Sequence, residues 1–183
     1  WSNAFCYSDT YKRDLIQSCS DEDLRRERVK KTNAQRMLSS KKINFETFHY
    51  SADDGKIDGI SVAEKIGQPI ALVYKTLALR GVKGIYIALV PVSREIDLKV
   101  AALAFHEKSV ELIPVKDLLK LTGYERGGCS PIGMKKLFPT YIDSSVVSLS
   151  DIIVSGGAIG TQIKLSVDTL IHETAAIVTS LVH

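Results

Sequence analysis

The residues best suited to chemistry in this sequence are one lysine and two glycine-rich stretches. Lys75 stands inside Leu72-Val73-Tyr74-Lys75-Thr76-Leu77-Ala78-Leu79. A lysine in the middle of an apolar strand is costly to bury unless its ammonium has partners. Pointing inward, Lys75 faces a pocket and binds an anion or a carbonyl. Pointing outward, it sits on the solvent face of an edge strand. Alternation alone leaves these two readings level. The run Gly127-Gly128-Cys129-Ser130-Pro131-Ile132-Gly133 is too rich in glycine and proline for regular structure, and makes a shaped loop that exposes backbone N–H and C=O groups. Ser155-Gly156-Gly157-Ala158-Ile159-Gly160-Thr161 reads as a second glycine loop, between two strands, that lets a ligand or another backbone approach closely. Either loop alone reads as a tight turn. Together with the lysine they favour a site for a phosphate, a ribose or a carbonyl.

Several other chemistries are excluded. No GxxxxGK[ST] is present, and Gly156 to Gly160 is not GxGxxG. His172-Glu173 is half of HExxH without a second histidine at the right spacing. Ser130 lacks the setting of a nucleophile elbow, because Pro131 stands where an oxyanion amide is needed. Cys129 has no histidine nearby in sequence to activate it and reads as a buried, inert thiol. Three cysteines, Cys6, Cys19 and Cys129, form no CxxC pair, which argues against a disulfide framework and a zinc site.

These residues need elements to position them. Thr32 starts a helix through Ala34, Met37, Leu38 and Lys41; Ser20-x-x-Asp23 offers an earlier start. Asn44 to Tyr50 is strand-like. Ser61-x-x-Glu64 reads as the capping box of a short helix ending at Gly67. Ala71 to Arg80 and Ile85 to Pro91 form a hairpin across Gly81 to Gly84. Asp97 caps a further helix, and Val110 to Ile113 is a short strand. Val115 to Thr122 is a helix stopped by Gly123. Phe138 to Asp143, Ile152 to Ser155 and Thr161 to Leu165 are strands, Ser166 caps the last helix, and Ala176 to Val182 is a closing strand. The hairpins and the irregular order imply an α/β protein with antiparallel or mixed pairing.

Composition fits this reading. The 183 residues are 45% hydrophobic and 25% charged, with net charge +3, as in a soluble globular protein. A reducing, cytoplasmic setting is expected. No apolar run reaches the roughly 18 residues of a membrane span, and no signal-peptide stretch opens the sequence. Basic residues cluster over residues 21–42, among them Arg25, Arg26, Arg28, Lys30 and Arg36. That patch suits a phosphate backbone and equally a solvated helix face.

The residues that carry a wider resemblance are now in view. Tyr74-Lys75-Thr76-Leu77, Gly128-Cys129-Ser130-Pro131-Ile132-Gly133, Leu137-Phe138-Pro139-Thr140-Tyr141-Ile142-Asp143 and Ser155-Gly156-Gly157 resemble, in order and spacing, the YbaK/EbsC family, related to the editing insertion of prolyl-tRNA synthetases. The resemblance runs from about Thr32 to the C-terminus. It implies a mixed, mostly antiparallel, partly barrel-like twisted sheet flanked by helices. Residues 31–183 would be the editing domain and residues 1–30 an N-terminal appendage, helical in its second half. The implied activity is trans-editing, the hydrolysis of mischarged tRNA, foremost Cys-tRNA(Pro). The alternatives are Ala-tRNA(Pro) as substrate, or a non-catalytic tRNA-end or protein-binding module of the same fold. The implied partners are aminoacylated tRNA and prolyl-tRNA synthetase, without membrane or DNA, and neither metal nor cofactor is implied. Lys75 takes the catalytic position. Tyr50, Thr76, Ser130, Ile132, Gly133, Ser155, Gly156, Gly157 and Gln162 take the substrate-binding ones. The sequence departs from the family pattern at Ala158-Ile159, where a basic pair is frequent, and at Gln162, where an acid is frequent. It also lacks an aromatic residue over Ile57 to Ile60.

Overall fold

The structure, a computed structural model, describes residues 31–182. The expected appendage over residues 1–30, with the Ser20 cap and the basic residues Arg25, Arg26, Arg28 and Lys30, lies outside the described residues. Residues Thr32–His183 form one compact unit. Its helices are α1 (Asn33–Ser40), α2 (Gly59–Lys65), α3 (Leu98–Ala104), α4 (Val115–Thr122) and α5 (Val167–Thr174). Its strands are β1 (Glu46–His49), β2 (Tyr74–Arg80), β3 (Ile85–Pro91), β4 (Glu111–Leu112), β5 (Thr140–Asp143), β6 (Asp151–Ala158), β7 (Thr161–Ser166) and β8 (Ile177–Thr179). Among the described residues no helix is long and apolar enough to cross a membrane.

The helix starts follow from local hydrogen bonding. The Thr32 hydroxyl accepts from the Gln35 amide at 3.2 Å, and the Gln35 side chain accepts from the Thr32 amide at 2.9 Å. This reciprocal box opens α1 and contributes about 1 kcal/mol. Asp97 caps α3, Ser166 caps α5, and Gly123 ends α4 at φ 87°. The Ser61 start needs correction: α2 begins earlier, with the Asp58 carboxylate accepting from the Ser61 amide at 3.0 Å and the Ser61 hydroxyl at 2.7 Å. A carboxylate complements the positive end of the helix better than a hydroxyl does.

The strands build two sheets. Five strands run in the order β4-β2-β3-β5-β8, and three run β1-β7-β6. The β1/β7, β6/β7, β2/β3 and β2/β4 pairs are antiparallel; β3/β5 and β5/β8 are parallel. The sheets meet at a parallel bridge between Val73 and Ile153. They do not close, so the partial barrel amounts to two sheets hinged along that contact. The main core lies between them, around Leu38, Ile87, Ile142, Ile163 and Leu170. The outer face of β2 and β3 packs on α3 through Leu79, Ala101 and a Tyr86–Phe105 stack with centroids 4.8 Å apart.

The β2–β3 hairpin closes with the Gly81 amide donating to the Gly84 carbonyl at 2.8 Å. Beneath it the buried Glu107 accepts from the Lys83 amide at 2.8 Å, the Val82 amide at 3.2 Å and the Tyr86 hydroxyl at 2.8 Å. Burial works against the charge on Glu107, but these donors outweigh it and hold the carboxyl below its ordinary 4.5. The unfolded chain therefore binds this proton more readily. The stabilisation is present above pH 4.5 and disappears as pH falls through the lowered folded-state value. Thermal melts should show Glu107→Gln less stable than wild type at neutral pH, with the gap narrowing as the solution is acidified. A gap independent of pH would contradict an ionised Glu107.

Candidate active site

The site grows out of how β2 is paired. Along one edge β2 pairs with β3 over its whole length, Tyr74 to Arg80. Along the other it meets β4 only at Leu79 and Arg80, and the Ala78 carbonyl accepts from the Ile113 amide at 2.9 Å. Main-chain groups in an antiparallel pair point alternately toward and away from the partner strand. Ala78 points away from β3, so Thr76, two residues earlier, does too. The N–H and C=O of Thr76 thus lie on an unpaired stretch of edge, in the gap where the two sheets diverge.

That gap is a cleft of about 1140 Å³. Its floor is β2 from Val73 to Ala78; its far wall is Ser155 on β6 and Gln162 on β7, which are register partners. The loop from Gly55 to Asp58 and the start of α4 form its rims, with Arg126, Gly127 and Cys129 at one end. Lys65 ties the rim loop down, donating to the Ser51 carbonyl at 2.9 Å, the Lys56 carbonyl at 2.8 Å and Asp54 at 2.6 Å.

Lys75 lines this cleft, and each reading left open by the sequence holds in part. β2 is internal to its sheet but is an edge at this residue. The lysine side chain is one-quarter exposed, and its ammonium pairs with Glu95 at 2.7 Å. Thr76 brings a second feature: its hydroxyl is buried and has no hydrogen-bond partner. Orphaned buried hydroxyls are uncommon in folded proteins and mark a place where a ligand group or water completes the bonding. Gln162 is buried and likewise lines the cleft.

The glycine loops play different parts from those their composition suggests. The stretch Ser155 to Ala158 is not a loop but the end of β6, broken by a bulge at Gly156-Gly157 with Gly157 at φ 95°. Pairing with β7 holds it extended, and only Ile159-Gly160 turns. The Thr32 hydroxyl donates to the Gly156 carbonyl, pinning the bulge to the start of α1. Ser130 and Ile132 are fully buried rather than displayed. The Ser130 hydroxyl accepts from the Ile132 amide at 3.3 Å, the Tyr124 hydroxyl donates to the Ile132 carbonyl at 2.6 Å, and Asn33 donates to the Gly133 carbonyl at 2.6 Å. Gly128 lies flat on the turn after β6, where a Cβ would meet the Ala158 and Ile159 main chain at 3.1 Å. The structure therefore brings Lys75, Thr76, Ser155 and Gln162 to the cleft. Ser130, Ile132, Gly133, Gly156 and Gly157 form the layer behind its wall. Tyr50 stands apart at the end of β1, its hydroxyl also buried without a partner and the Lys65 ammonium 5.8 Å from its ring centre.

Sequence reasoning missed Glu95, the Gly55–Asp58 rim and Tyr124. Glu95 sits in an ordinary polar turn, 20 residues from Lys75, and nothing local marks it. Of the expected basic surface, Lys41 is committed to Glu173 on α5 at 2.6 Å. A second, shallower groove of about 580 Å³ runs past Asn44, Glu46 and Lys164.

Among the described residues Cys129 is the cysteine that lines the cleft. Burial pushes its thiol up to about 12, against partial relief from a hydrogen bond with Thr122, so it stays protonated and unreactive at neutral pH. Replacing Cys129 by alanine should leave turnover within a few-fold of wild type. A loss comparable to removing a catalytic nucleophile would place chemistry on this sulfur. Among the described residues no three of His, Cys, Asp and Glu lie close enough to share a metal ion.

Two hinged sheets with a lysine on a free strand edge, backed by a glycine bulge, define a mixed α/β domain with a cleft between its sheets. Residues 59–172 match the aminoacyl-tRNA editing domain, and the chain belongs to that family. It is 42% identical, over 79% of its length and 88% of the relative's, to a protein of Enterococcus faecalis named "Putative Cys-tRNA(Pro)/Cys-tRNA(Cys) deacylase EbsC". It is 30% identical over 95 residues to the proline–tRNA ligase of Fervidobacterium nodosum, 52% of this chain and 16% of the ligase. Its fold matches a crystal structure described as a "putative trans-editing enzyme for prolyl tRNA synthetase", with TM-score 0.70, 22% identity and coverage of 76% and 87% of the two chains.

Proposed function

We propose that the chain is a trans-editing aminoacyl-tRNA deacylase whose substrate is Cys-tRNA(Pro). The observation that carries this reading is the meeting of Lys75, the unpartnered Thr76 hydroxyl, Ser155 and Gln162 in one cleft in a chain of the editing family. Among the described residues of the lining no histidine accompanies the Thr76 and Ser155 hydroxyls, and the Cys129 thiol is held neutral, so the cleft offers donors rather than an activated protein nucleophile. Cysteine brings its own. The substrate thiol attacks the ester carbonyl: a C–S bond forms, the C–O bond to the ribose breaks, and the thiol proton passes to the departing ribose oxygen. The products are tRNA with a free terminal hydroxyl and a cysteine thiolactone, which water then opens.

The protein's contribution is orientation and charge stabilisation. Lys75 donates to the carbonyl oxygen as it becomes negative, and the free Thr76 main-chain edge holds the ester against β2. In this reading residues 31–183 are the editing domain and residues 1–30 an appendage to it. The partners are charged tRNA and the prolyl-tRNA synthetase that mischarges it, in the cytoplasm. Purified protein incubated with Cys-, Ala-, Ser- and Pro-charged tRNA(Pro) tests the reading. Preferential loss of cysteine is the expected result. Preference for alanine would rule out the thiol route while keeping the deacylase. Binding without hydrolysis of any of the four would make the domain a binding module.

A further inference from the structure

Glu95 lies between β3 and α3 with its side chain 88% exposed, and among the described residues its carboxylate pairs with the Lys75 ammonium. We propose that Glu95 reads the free α-ammonium of the substrate's amino acid, so that the enzyme acts on aminoacyl-tRNA and spares N-acylated forms. This rests on the deacylase reading above. Among the described residues two acids line the cleft, Asp58 and Glu95. Asp58 is committed to the start of α2, where the Ser61 amide and hydroxyl hold its carboxyl below the ordinary range. The remaining charged groups of the lining, Lys56, Lys75 and Arg126, are cations and repel an ammonium. Gln162, buried in the far wall, is neutral. Glu95 is thus the carboxylate in the cleft lining whose charge is available to a ligand.

The placement matches the substrate's own charge pattern. An aminoacyl ester carries a cation on the carbon next to the carbonyl whose oxygen becomes negative on attack. Lys75 and Glu95 present the complementary pair, one hydrogen bond apart at 2.7 Å. At rest they neutralise each other. The Glu95 side of the pair is open to solvent, which weakens the attraction, so a substrate inserts between them, its carbonyl turning to Lys75 and its ammonium to Glu95. An N-acyl group removes the cation, leaves the carboxylate unanswered and adds bulk where the pair must open.

The test compares wild type with Glu95→Gln on Cys-tRNA(Pro) and on the same tRNA carrying N-acetylcysteine, which keeps the thiol. Wild type should prefer the free amine by about ten- to a hundred-fold in kcat/KM, the loss typical of one charge-assisted hydrogen bond. Glu95→Gln should lose most of that preference, through slower turnover of the free-amine substrate with the acetylated one unchanged or faster. Melting curves should coincide, because the side chain is exposed. Equal discrimination by both proteins overturns the proposal, as does an equal fall on both substrates, which would mean Glu95 acts only by steadying Lys75. A wild type that hydrolyses neither substrate overturns the deacylase reading and this proposal with it; hydrolysis with unchanged discrimination overturns this proposal alone.

Discussion

Replacing Lys75 by alanine should lower deacylation by about a hundred- to a thousand-fold, the usual cost of losing one preorganised donor at a developing oxyanion, while the protein stays folded. β2 remains paired with β3 over its whole length, and Leu79 stays in the α3 core. The carboxylate left behind, Glu95, is exposed and pairs with water, so no buried charge is orphaned. Lys75→Arg should not restore activity, because a planar guanidinium is larger and presents its donors in a different geometry. Single-turnover rates on charged tRNA, with melting curves alongside, decide this. Near-normal turnover by the alanine variant would remove Lys75 from the chemistry.

Gly128→Ala should have the next largest effect, and through packing rather than chemistry. The added Cβ would press on the Ala158 and Ile159 main chain at 3.1 Å, and no flexible side chain is there to yield. Overpacking of this kind costs about 1–3 kcal/mol, roughly 2–10 °C in melting temperature for a domain of this size. Turnover should fall as well, since β6 and β7 carry Ser155 and Gln162 to the cleft, and a displacement of about 1 Å can cost about a hundred-fold. Gly84→Ala is the control, because nothing lies within 4 Å of a Cβ there. If Gly128→Ala melts and turns over like Gly84→Ala, the two glycine segments do not depend on each other.

Much of the fold was legible because it is local. Thr32, Asp97 and Ser166 announce helices through side chains that reach amides two or three residues on, and Gly81 to Gly84 announces a hairpin. Where two acceptors compete, as Asp58 and Ser61 do, spacing cannot decide; charge does. At the end of β6, Gly156 and Gly157 look like a loop in isolation, and only pairing with β7 keeps them extended. Likewise Ser130 resembles a displayed loop residue but is buried, in a loop whose Ile132 carbonyl is held by nearby Tyr124 and whose Gly133 carbonyl is held by Asn33 from α1, a contact from far along the chain.

The site was legible only in outline. The cost of burying Lys75 pointed to a partner, but that the partner is Glu95 depends on where β3 ends relative to β2. Thr76 presents a free main-chain edge because a neighbouring strand stops short, a fact of sheet topology with no local signal. The resemblance named most of the residues; the geometry separates those that reach the cleft from those that shape its wall.

A structure of the complex with a non-hydrolysable substrate analogue tests the central claim most directly. The analogue is adenosine bearing cysteine through a 3′-amide in place of the ester. The account predicts that the cysteinyl carbonyl lies within about 3 Å of the Lys75 ammonium, with the Lys75–Glu95 pair opened and the ligand running along the free edge of β2 at Thr76. An analogue seated instead in the groove of Asn44 and Lys164, with Lys75 still on Glu95, would contradict it.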